Sequence, residues 1–221
     1  MDYSGVSDIL KKISDLYSQY YATWQNTNKP VRLSVSKLQT DFLFDENCNF
    51  CMIDAEILIG YVIYRKYNHP IGRICWISQL LIHPEYRNKG FAKHLITKVS
   101  RDCDIIGIAS SNPYSIKAVQ SVSNTKYNND FNLIHLKSIA KYSQVPYILN
   151  KQINIYDTHS TINTDFMINR IDNLPFPLPN GYEYIAVYKN NNNLNNKNVK
   201  NQIRNKIRNK INNPIPIHNY T

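Results

Sequence analysis

The stretch from Arg73 to Arg101 constrains the fold of this chain more than any other. Its first half is rich in large apolar residues and closes on the run Leu80-Leu81-Ile82, which predicts a buried strand. Pro84 has no N–H group to donate to a neighbouring strand, so we expect the strand to end just before it. The second half repeats apolar residues every three or four positions, which predicts a helix whose buried face carries Phe91, Leu95, Ile96 and Val99.

A short basic loop joins the strand to the helix, and it consists of Arg87, Asn88, Lys89, Gly90, Phe91 and Ala92. The N–H groups at a helix N-terminus are unpaired and carry partial positive charge, so they can hold an anion such as a pyrophosphate. Gly90 lets the backbone approach the phosphates, and the small Ala92 keeps the first turn open. Arg87 and Lys89 add positive charge. The alternative is an ordinary basic surface turn.

The pattern Arg87-x-x-Gly90-x-Ala92, directly after a strand that ends Leu-Ile-His-Pro, resembles the acetyl-CoA loop of the GNAT superfamily of N-acetyltransferases. The resemblance is sharp over residues 57–119 and topological elsewhere. It implies an α/β fold with a mixed, twisted central sheet flanked by helices. Two central strands of that sheet would splay apart and hold acetyl-CoA between them.

The resemblance also implies contacts to acetyl-CoA, which would be a co-substrate used without a metal ion. The basic loop would hold the pyrophosphate, while Leu80, Leu81 and Ile82 would hold the thioester and the pantetheine arm as though it were an added strand. The N–H of Leu80 or Leu81, at a bulge, would polarise the thioester carbonyl. Asn112 matches the family's Asn at the next helix start and would contact the pantetheine or the acceptor, and Ser115 would face the pyrophosphate. The alternative for both residues is helix capping.

Two positions depart from the family pattern. Many members carry a Tyr seven residues after that Asn, which protonates the leaving thiolate, and a Glu six residues before the end of the central strand, which acts as a general base. This chain has Val119 and Trp76 at these positions. An acceptor amine with a pKa of about 10.4 must still lose a proton before it attacks. The sequence favours none of the remaining candidates for the base, which are Asp54, Glu56, His83, Tyr127 and His135.

The first half of the chain supplies further elements around this centre. A helix is predicted from Ser7, as its N-cap, to about Trp24. Alternating apolar residues predict a strand over 31–35, and an apolar hairpin is predicted over 50–66. The helix carries an aromatic cluster that either packs in the core or faces the acceptor, and it consists of Tyr17, Tyr20, Tyr21 and Trp24.

The second half continues with a buried strand over 105–109 and a helix from Ser115. Periodic apolar residues predict a helical insertion at about 128–150, either a lid or a packing element. Strands over 161–169 and 182–188 resemble the closing hairpin of the family. They complete one GNAT domain over residues 1–188.

The net charge of +10 is concentrated in the Asn-rich segment 189–221, which carries seven basic residues and no acid and leaves about +3 for the rest. Its composition predicts a disordered tail, so we expect its removal at Lys189 to leave the fold intact. The alternative is a short basic amphipathic helix that binds nucleic acid or an anionic membrane through Ile203, Ile207 and Ile211.

Four cysteines, at positions 48, 51, 75 and 103, are too few for a disulfide scaffold and favour a reducing, cytoplasmic location, with the nucleus as the alternative. Cys48-x-x-Cys51 lacks the second pair of ligands that a zinc site needs and precedes a strand, so we expect two ordinary cysteines. No apolar run approaches the roughly 20 residues that span a bilayer, and the first ten residues lack the layout of a secretion signal.

The sequence therefore predicts an acetyl-CoA-dependent N-acetyltransferase that transfers the acetyl group to a primary amine by direct attack. The acceptor would be a small amine, a protein lysine or a protein N-terminus. The alternative is a catalytically inactive CoA-binding module that acts through contacts with a partner or with nucleic acid, because both usual acid–base positions are substituted. Neither reading fixes an oligomeric state.

Overall fold

The computed structural model describes residues 4–169 and 176–193. Its seven strands are β1 (Cys48–Asp54), β2 (Leu58–His69), β3 (Gly72–Ile82), β4 (Ile105–Ser110), β5 (Ile153–Ile155), β6 (Ser160–Phe166) and β7 (Gly181–Lys189). They form one sheet in the order β1-β2-β3-β4-β7-β6-β5. Neighbouring strands run antiparallel, except for β3 and β4, which are parallel. The sheet is therefore mixed, as predicted.

Five helices cover this sheet in the described part of the chain, and they are α1 (Ser4–Tyr20), α2 (Val35–Phe42), α3 (Phe91–Ser100), α4 (Pro113–Ser123) and α5 (Asn129–Tyr142). A single 3₁₀ turn, Pro84–Tyr86, follows β3. No helix among the described residues is both long enough and apolar enough to cross a bilayer.

The alternation of side chains along β3 divides the core between the two faces of the sheet. Cys75 and Ile77 point to the face that α3 and α4 cover, where they pack with Leu95 and Val119. Ile74 and Trp76 point to the other face, where they meet apolar residues of α5. Helices α1 and α2 pack on that same face, further along, over the inner side chains of β2.

The two central strands part half-way along β3. Their ladder runs from Ile74 opposite Ile105 to Ile77 opposite Ile108, and β3 then continues to Ile82 without a further pair to β4. The register between β2 and β3 shifts at this point, because Ile77 and Gln79 face consecutive residues of β2 and the residue between them is extra. This residue is Ser78, so a bulge lies where the strands separate. The predicted splay of the central strands is confirmed.

The strand–loop–helix over 73–101 and the strand over 105–109 are confirmed. The predicted hairpin is also present, with β1 and β2 in antiparallel register. The predicted insertion contains α5, which begins after its N-cap Asn128. The closing pair of strands is present as β6 and β7, and β5 was not anticipated.

Near the N-terminus, the predicted helix is present with different bounds, and one predicted strand is wrong. Helix α1 includes Ser7 rather than starting after it, and it ends at Tyr20, while Trp24 forms a β-bridge with Ile168. The segment 31–35 is not a strand. Ser34 accepts a hydrogen bond from the backbone N–H of Lys37 at 3.1 Å and caps α2. Alternating burial therefore arises here from an extended segment that pairs with no strand.

The described chain continues beyond β7 as part of the packed body. Asn190 and Asn193 are buried, and their side-chain amides donate hydrogen bonds to the carbonyl of Cys103 at 3.0 and 2.9 Å. Asn190 also donates to the carbonyl of Ser100 at 3.0 Å. The domain boundary at 188 stays a prediction, and the tail from residue 194 onward, with its basic amphipathic stretch, lies outside the described residues.

The cysteine pair lies on β1, and all four cysteines are free. Burial raises the pKa of the Cys48 thiol to about 11, the reverse of what a redox-active thiol needs. Among the described residues, no group of three or more His, Cys, Asp or Glu side chains is placed to hold a metal ion.

Candidate active site

The basic loop after β3 leaves the N-terminus of α3 open. Gly90 is the N-cap, with a left-handed φ of 86°, and it provides no side-chain hydrogen bond to the first turn. Asn88 is also left-handed, with φ 62°. A Cβ built on Gly90 would meet no described atom within 4 Å beyond its immediate chain neighbours, so the space around Gly90 is open. The N–H groups of the first turn are thus presented to an anion without a competing cap.

The two cations of the loop are placed differently. The guanidinium of Arg87 donates to the carbonyl of Ile82 at 3.1 Å and to that of Tyr20 at 3.4 Å, which ties the loop to the ends of β3 and α1. Burial lowers the pKa of Arg87. The ammonium of Lys89 lies 5.1 Å from the ring centre of Tyr86, and Lys89 is exposed. Arg87 is exposed as well, so both cations can reach a phosphate, and the hydrogen bonds of Arg87 also fix the shape of the loop.

The strand edges next to the loop are available for an extended ligand. Leu80 and Ile82 pair with β2 on one side, and no ladder joins them to β4 on the other. Asn112 follows β4, and its side chain accepts a hydrogen bond from the N–H of Tyr114 at 2.9 Å. The capping role of Asn112 is thus confirmed. Ser115 is buried in the first turn of α4. The assigned ligand contacts of these residues stay predictions.

A cavity of about 210 Å³ opens on the opposite face of the sheet, where β3 and β4 part. Ser78 and Gln79 at the bulge and Ala109 on β4 form the part of its wall nearest the splay. Most of the remaining wall is contributed by the end of α1, the segment before α2, the loop after α5 and the last two strands, through Tyr17, Tyr21, Trp24, Val31, Arg32, Leu33, Tyr147, Thr164, Phe166 and Glu183.

Buried phenols and one carboxylate give this cavity its chemistry. The rings of Tyr17 and Tyr21 stack with centroids 4.2 Å apart. The hydroxyl of Tyr147 donates to the carbonyl of Ser78 at 3.1 Å, directly at the bulge. Burial, and secondly the negative charge of Glu183, raise the pKa of Tyr17 and of Tyr147. These phenols are therefore protonated donors at neutral pH.

The comparison with known proteins agrees with this geometry. The sequence model of the acetyltransferase (GNAT) family matches residues 10–117, which include the open loop, the bulge and both splayed strands. The matched segment is assigned to the GNAT superfamily. No curated protein matches it in sequence.

Solved structures share low identity with this GNAT chain. One is a ribosomal-protein-alanine N-acetyltransferase from Brucella melitensis, with 21% identity over 41% of this chain and 63% of that chain, at a TM-score of 0.32. Another is NAA60 from Arabidopsis thaliana in complex with a bisubstrate analogue, with 15% identity over 81% of this chain and 91% of that one, at 0.43. A GNAT-family acetyltransferase from Staphylococcus aureus has 13% identity over 80% of this chain and 92% of that chain, at a TM-score of 0.42. The family membership rests on the sequence match alone.

The two substituted positions of the GNAT pattern are parts of the core. Trp76 and Val119 are both fully buried, on opposite faces of the sheet, and neither borders the cavity. The indole Nε1 of Trp76 has no hydrogen-bond partner among the described residues. These side chains therefore stabilise the GNAT fold and do not transfer protons.

None of the five candidates for a base borders the cavity. Asp54 pairs with Lys12 at 2.8 Å, and Glu56 is exposed in the turn of the hairpin. His83 packs edge-on against Tyr20, with ring centres 4.7 Å apart. The other two lie elsewhere: the hydroxyl of Tyr127 is 2.6 Å from that of Ser160, and the ring of His135 packs on that of Phe131.

The sequence reasoning missed Glu183, Tyr147 and the bulge residue Ser78. A signal for Glu183 was present, because it is the one acid in the apolar strand Gly181–Lys189. An acid at such a position is buried or at the edge of a site, and both cases demand a partner.

Proposed function

We propose that this GNAT protein is an acetyl-CoA-dependent N-acetyltransferase that acetylates a primary amine by direct attack. The observation that carries the proposal is the gap between β3 and β4 beyond Ile77. On the face of α3 and α4, this gap adjoins the open N-terminus of α3. On the other face, it adjoins the cavity lined by phenols and Glu183. A thioester held in the gap would meet an amine that enters from the cavity.

The residues present fit acetyl-CoA. An uncapped helix N-terminus with open space before Gly90 suits a diphosphate. The free edge of β3 beyond Ile77 suits an extended amide-containing arm, which would pair with the backbone of Leu80 to Ile82. When bound, acetyl-CoA supplies an acetyl group activated as a thioester.

The chain's own contribution is orientation and polarisation. A backbone N–H group of β3 just past the bulge at Ser78 would donate to the carbonyl oxygen as negative charge develops there. The cavity holds the amine against that carbonyl and excludes most of the water around it. Positioning of this kind lowers the barrier without a dedicated acid, which accommodates the absence of a catalytic group at Val119.

The alternative function is an inactive CoA-binding module that acts through contacts with a partner or nucleic acid. The observation that favours it is the burial of Trp76 and Val119 at the two usual acid–base positions. The buried carboxylate of Glu183 in the cavity favours the transferase function. A cytoplasmic, reducing location accompanies both proposals, in accord with four free cysteines.

Two measurements separate these functions. Thermal melts with and without acetyl-CoA report the cofactor site, and ligand at about 100 times its Kd should add about 2.7 kcal/mol to the free energy of unfolding. Release of CoA thiol is then followed with a panel of a polyamine, a lysine-containing peptide and peptides with free N-termini. Thiol release with any acceptor supports the transferase. A clear thermal shift without release for any acceptor supports the module.

A further inference from the structure

The bulge in β3 turns two consecutive polar side chains toward the cavity. Along β3, Ile77 and Leu80 both pack on the face of the sheet that α3 and α4 cover. The extra residue at the bulge leaves two positions between them, and both Ser78 and Gln79 line the cavity on the opposite face. Gln79 lies two residues beyond Ile77, the last residue of β3 that pairs with β4, so its amide borders the gap.

The orientation of the Gln79 amide is fixed by Tyr61. The hydroxyl of Tyr61 donates a hydrogen bond to Oε1 of Gln79 at 2.9 Å, and both side chains are buried. Burial raises the pKa of Tyr61 well above its usual value, so this hydroxyl keeps the proton that it donates. Oε1 is thereby engaged, and the Nε2 group with its two N–H donors is the end of the amide that remains for the cavity.

Two polar groups at this point of the wall have no partner within the described part of the protein. Nε2 of Gln79 bonds to none of the described residues, and the same is true of the hydroxyl of Ser78. Gln79 is 7% exposed and Ser78 is 8% exposed, and both residues border the cavity. A buried donor without a partner has lost its bonds to water and costs free energy. An oxygen atom of a molecule bound in the cavity would satisfy it.

The other lining residues near the gap leave hydrogen bonding to these two side chains. On β4 the wall is formed by Ala109, whose side chain has no polar atom. The hydroxyl of Tyr147 is already bonded to the backbone carbonyl of Ser78 at 3.1 Å. The cations Arg32 and Lys37 also line the cavity, but both are exposed and lie toward solvent.

We propose that Gln79 determines acceptor specificity by donating, through Nε2, to an oxygen on the second carbon from the reacting nitrogen. This inference deepens the proposed function and rests on it. The chemistry recognised is an amine with a neighbouring carbonyl group, as in the first residue of a peptide or in a free amino acid. A lysine side chain or a polyamine has a methylene group at that position, so it would leave the buried donor unpaired.

A hydrogen-bonding site of this kind discriminates more strongly than an apolar one. Sites built to bond a polar group of the substrate reject analogues that lack it, because their own buried groups are then left without partners. The cavity volume of about 210 Å³ is smaller than the roughly 300–1,000 Å³ of sites that enclose a whole drug-sized ligand. The cavity therefore takes the amine and its nearest carbons, and the rest of the acceptor lies outside.

The test compares Gln79→Met with the wild type on two acceptors of similar shape. Alaninamide carries the carbonyl group, and 3-methyl-2-butylamine has an isopropyl group in place of the amide. We expect kcat/KM for alaninamide to fall at least about tenfold in the variant and that for the alkylamine to change less than about threefold. Each ratio compares two proteins on one acceptor at one pH, so the different pKa values of the two amines cancel. If the wild type does not turn over the alkylamine, its inhibition constant against alaninamide replaces kcat/KM.

A second variant and a control separate recognition from folding. Gln79→Glu keeps an oxygen for the hydroxyl of Tyr61 and replaces the Nε2 donor by a second oxygen. The preference for alaninamide over the alkylamine should fall in this variant as it does in Gln79→Met. Gln39→Met makes the same change at an exposed Gln of α2 outside the cavity lining and should behave as wild type. The thermal shift with acetyl-CoA should be unchanged in all three variants.

Equal losses for both acceptors would overturn the inference, because a group that acts on the thioester or on the fold affects every amine alike. Unchanged kcat/KM for alaninamide in both Gln79 variants would overturn it as well. The source of the carbonyl follows from the wild type alone. Faster acetylation of Ala-Gly-Gly than of free alanine would identify a peptide N-terminus, and the reverse order would identify a free amino acid.

Failure of the proposed function has a different signature. If the wild type releases CoA thiol with no amine, the transferase proposal fails, and the melting temperature with alaninamide decides about Gln79. A stabilisation by alaninamide that is lost in Gln79→Met would support the recognition site in an inactive protein. Absence of stabilisation in the wild type would overturn it.

Discussion

Trp76 and Gly107 face each other across the parallel ladder of β3 and β4, and the indole fills the space that a side chain at Gly107 would need. A Cβ built on Gly107 would lie 2.6 Å from Cζ3 of the indole. The position at which many relatives carry a catalytic carboxylate therefore holds a fully buried ring, matched to a glycine on the next strand. The pair belongs to the core and supplies no acid or base group.

Substitution of Gly107 by Ala should destabilise the protein by about 2 kcal/mol, because overpacked cores lose about 1–3 kcal/mol. For a domain of this size, that lowers the melting temperature by about 4–8 °C. The same substitution in a Trp76→Phe background should cost less, since the smaller ring leaves room. Thermal or urea denaturation of the wild type, the two single variants and the double variant measures the coupling energy between positions 76 and 107. Additive losses would show that the indole is not what Gly107 accommodates.

Gly90 offers a test of the phosphate loop in which charge is separated from backbone strain. Its φ of 86° favours Gly, and Asn and Asp tolerate this conformation better than other residues do. Gly90→Asn and Gly90→Asp should thus fold similarly, while only the second places a negative charge before the diphosphate. We expect acetyl-CoA to bind the Asp variant at least tenfold more weakly than the Asn variant, as measured by calorimetry. Equal affinities would refute the loop assignment.

The parts of the fold that the sequence predicted well are those whose cause is local. A run of buried residues that ends at Pro84, followed by a glycine and an amphipathic repeat, defines β3 and α3 without reference to the rest of the chain. The alternation over 31–35 was misleading, because Val31 and Leu33 are buried from an extended segment and the cap Ser34 already begins a helix.

The cavity beside the parted strands was beyond sequence reasoning for a physical reason. Tyr17, Ser78, Tyr147 and Glu183 come from four regions spread over most of the chain, and only the packing of α1 and the loop after α5 against the opened sheet brings them together. The bulge that opens the sheet inserts one residue into β3, so counting positions back from Ile82 does not identify the side chains that face the cavity.

Acid should selectively weaken the contact between Asp45 and Arg65. Burial alone would raise the pKa of Asp45, but hydrogen bonds from Arg65 and from the N–H groups of Asn47 and Cys48 outweigh it, and the pKa is lowered. The Nη2 of Arg65 lies 2.7 Å from the carboxylate. A lowered folded-state pKa gives stability that is present above the unfolded-state pKa of about 3.9 and is lost as the pH falls through the folded value.

Asp45→Asn should therefore cost about 1–3 kcal/mol at pH 7, since hydrogen bonds to a charged group are lost. The difference from wild type should persist at pH 5 and shrink below about pH 4. Urea denaturation at pH 7, 5 and 3 measures it, with Asp8→Asn, an exposed acid on α1, as the control. A difference that grows toward acid pH would contradict the assignment.

The start of the Asn-rich segment should matter for stability although its composition predicts a dispensable tail. A chain that ends at Asn193 keeps the amides that bond the carbonyls of Ser100 and Cys103, whereas a chain that ends at Lys189 loses them. The carbonyl of Ser100 then keeps the bond from the N–H of Cys103, and the carbonyl of Cys103 loses both amide donors. Each bond contributes about 1 kcal/mol, and an orphaned buried carbonyl costs about 1–3 kcal/mol.

We expect the chain that ends at Asn193 to melt within about 2 °C of the full-length protein and the chain that ends at Lys189 to melt at least about 5 °C lower. Both truncations remove the same six basic residues beyond position 193, so net charge cannot account for a difference between them. Asn190→Ala in the full-length chain should reproduce part of the loss, because the Asn190 side chain donates two of the bonds. Equal melting temperatures for the two truncations would mean that these amides contribute no net stability, and the fold would then end with β7.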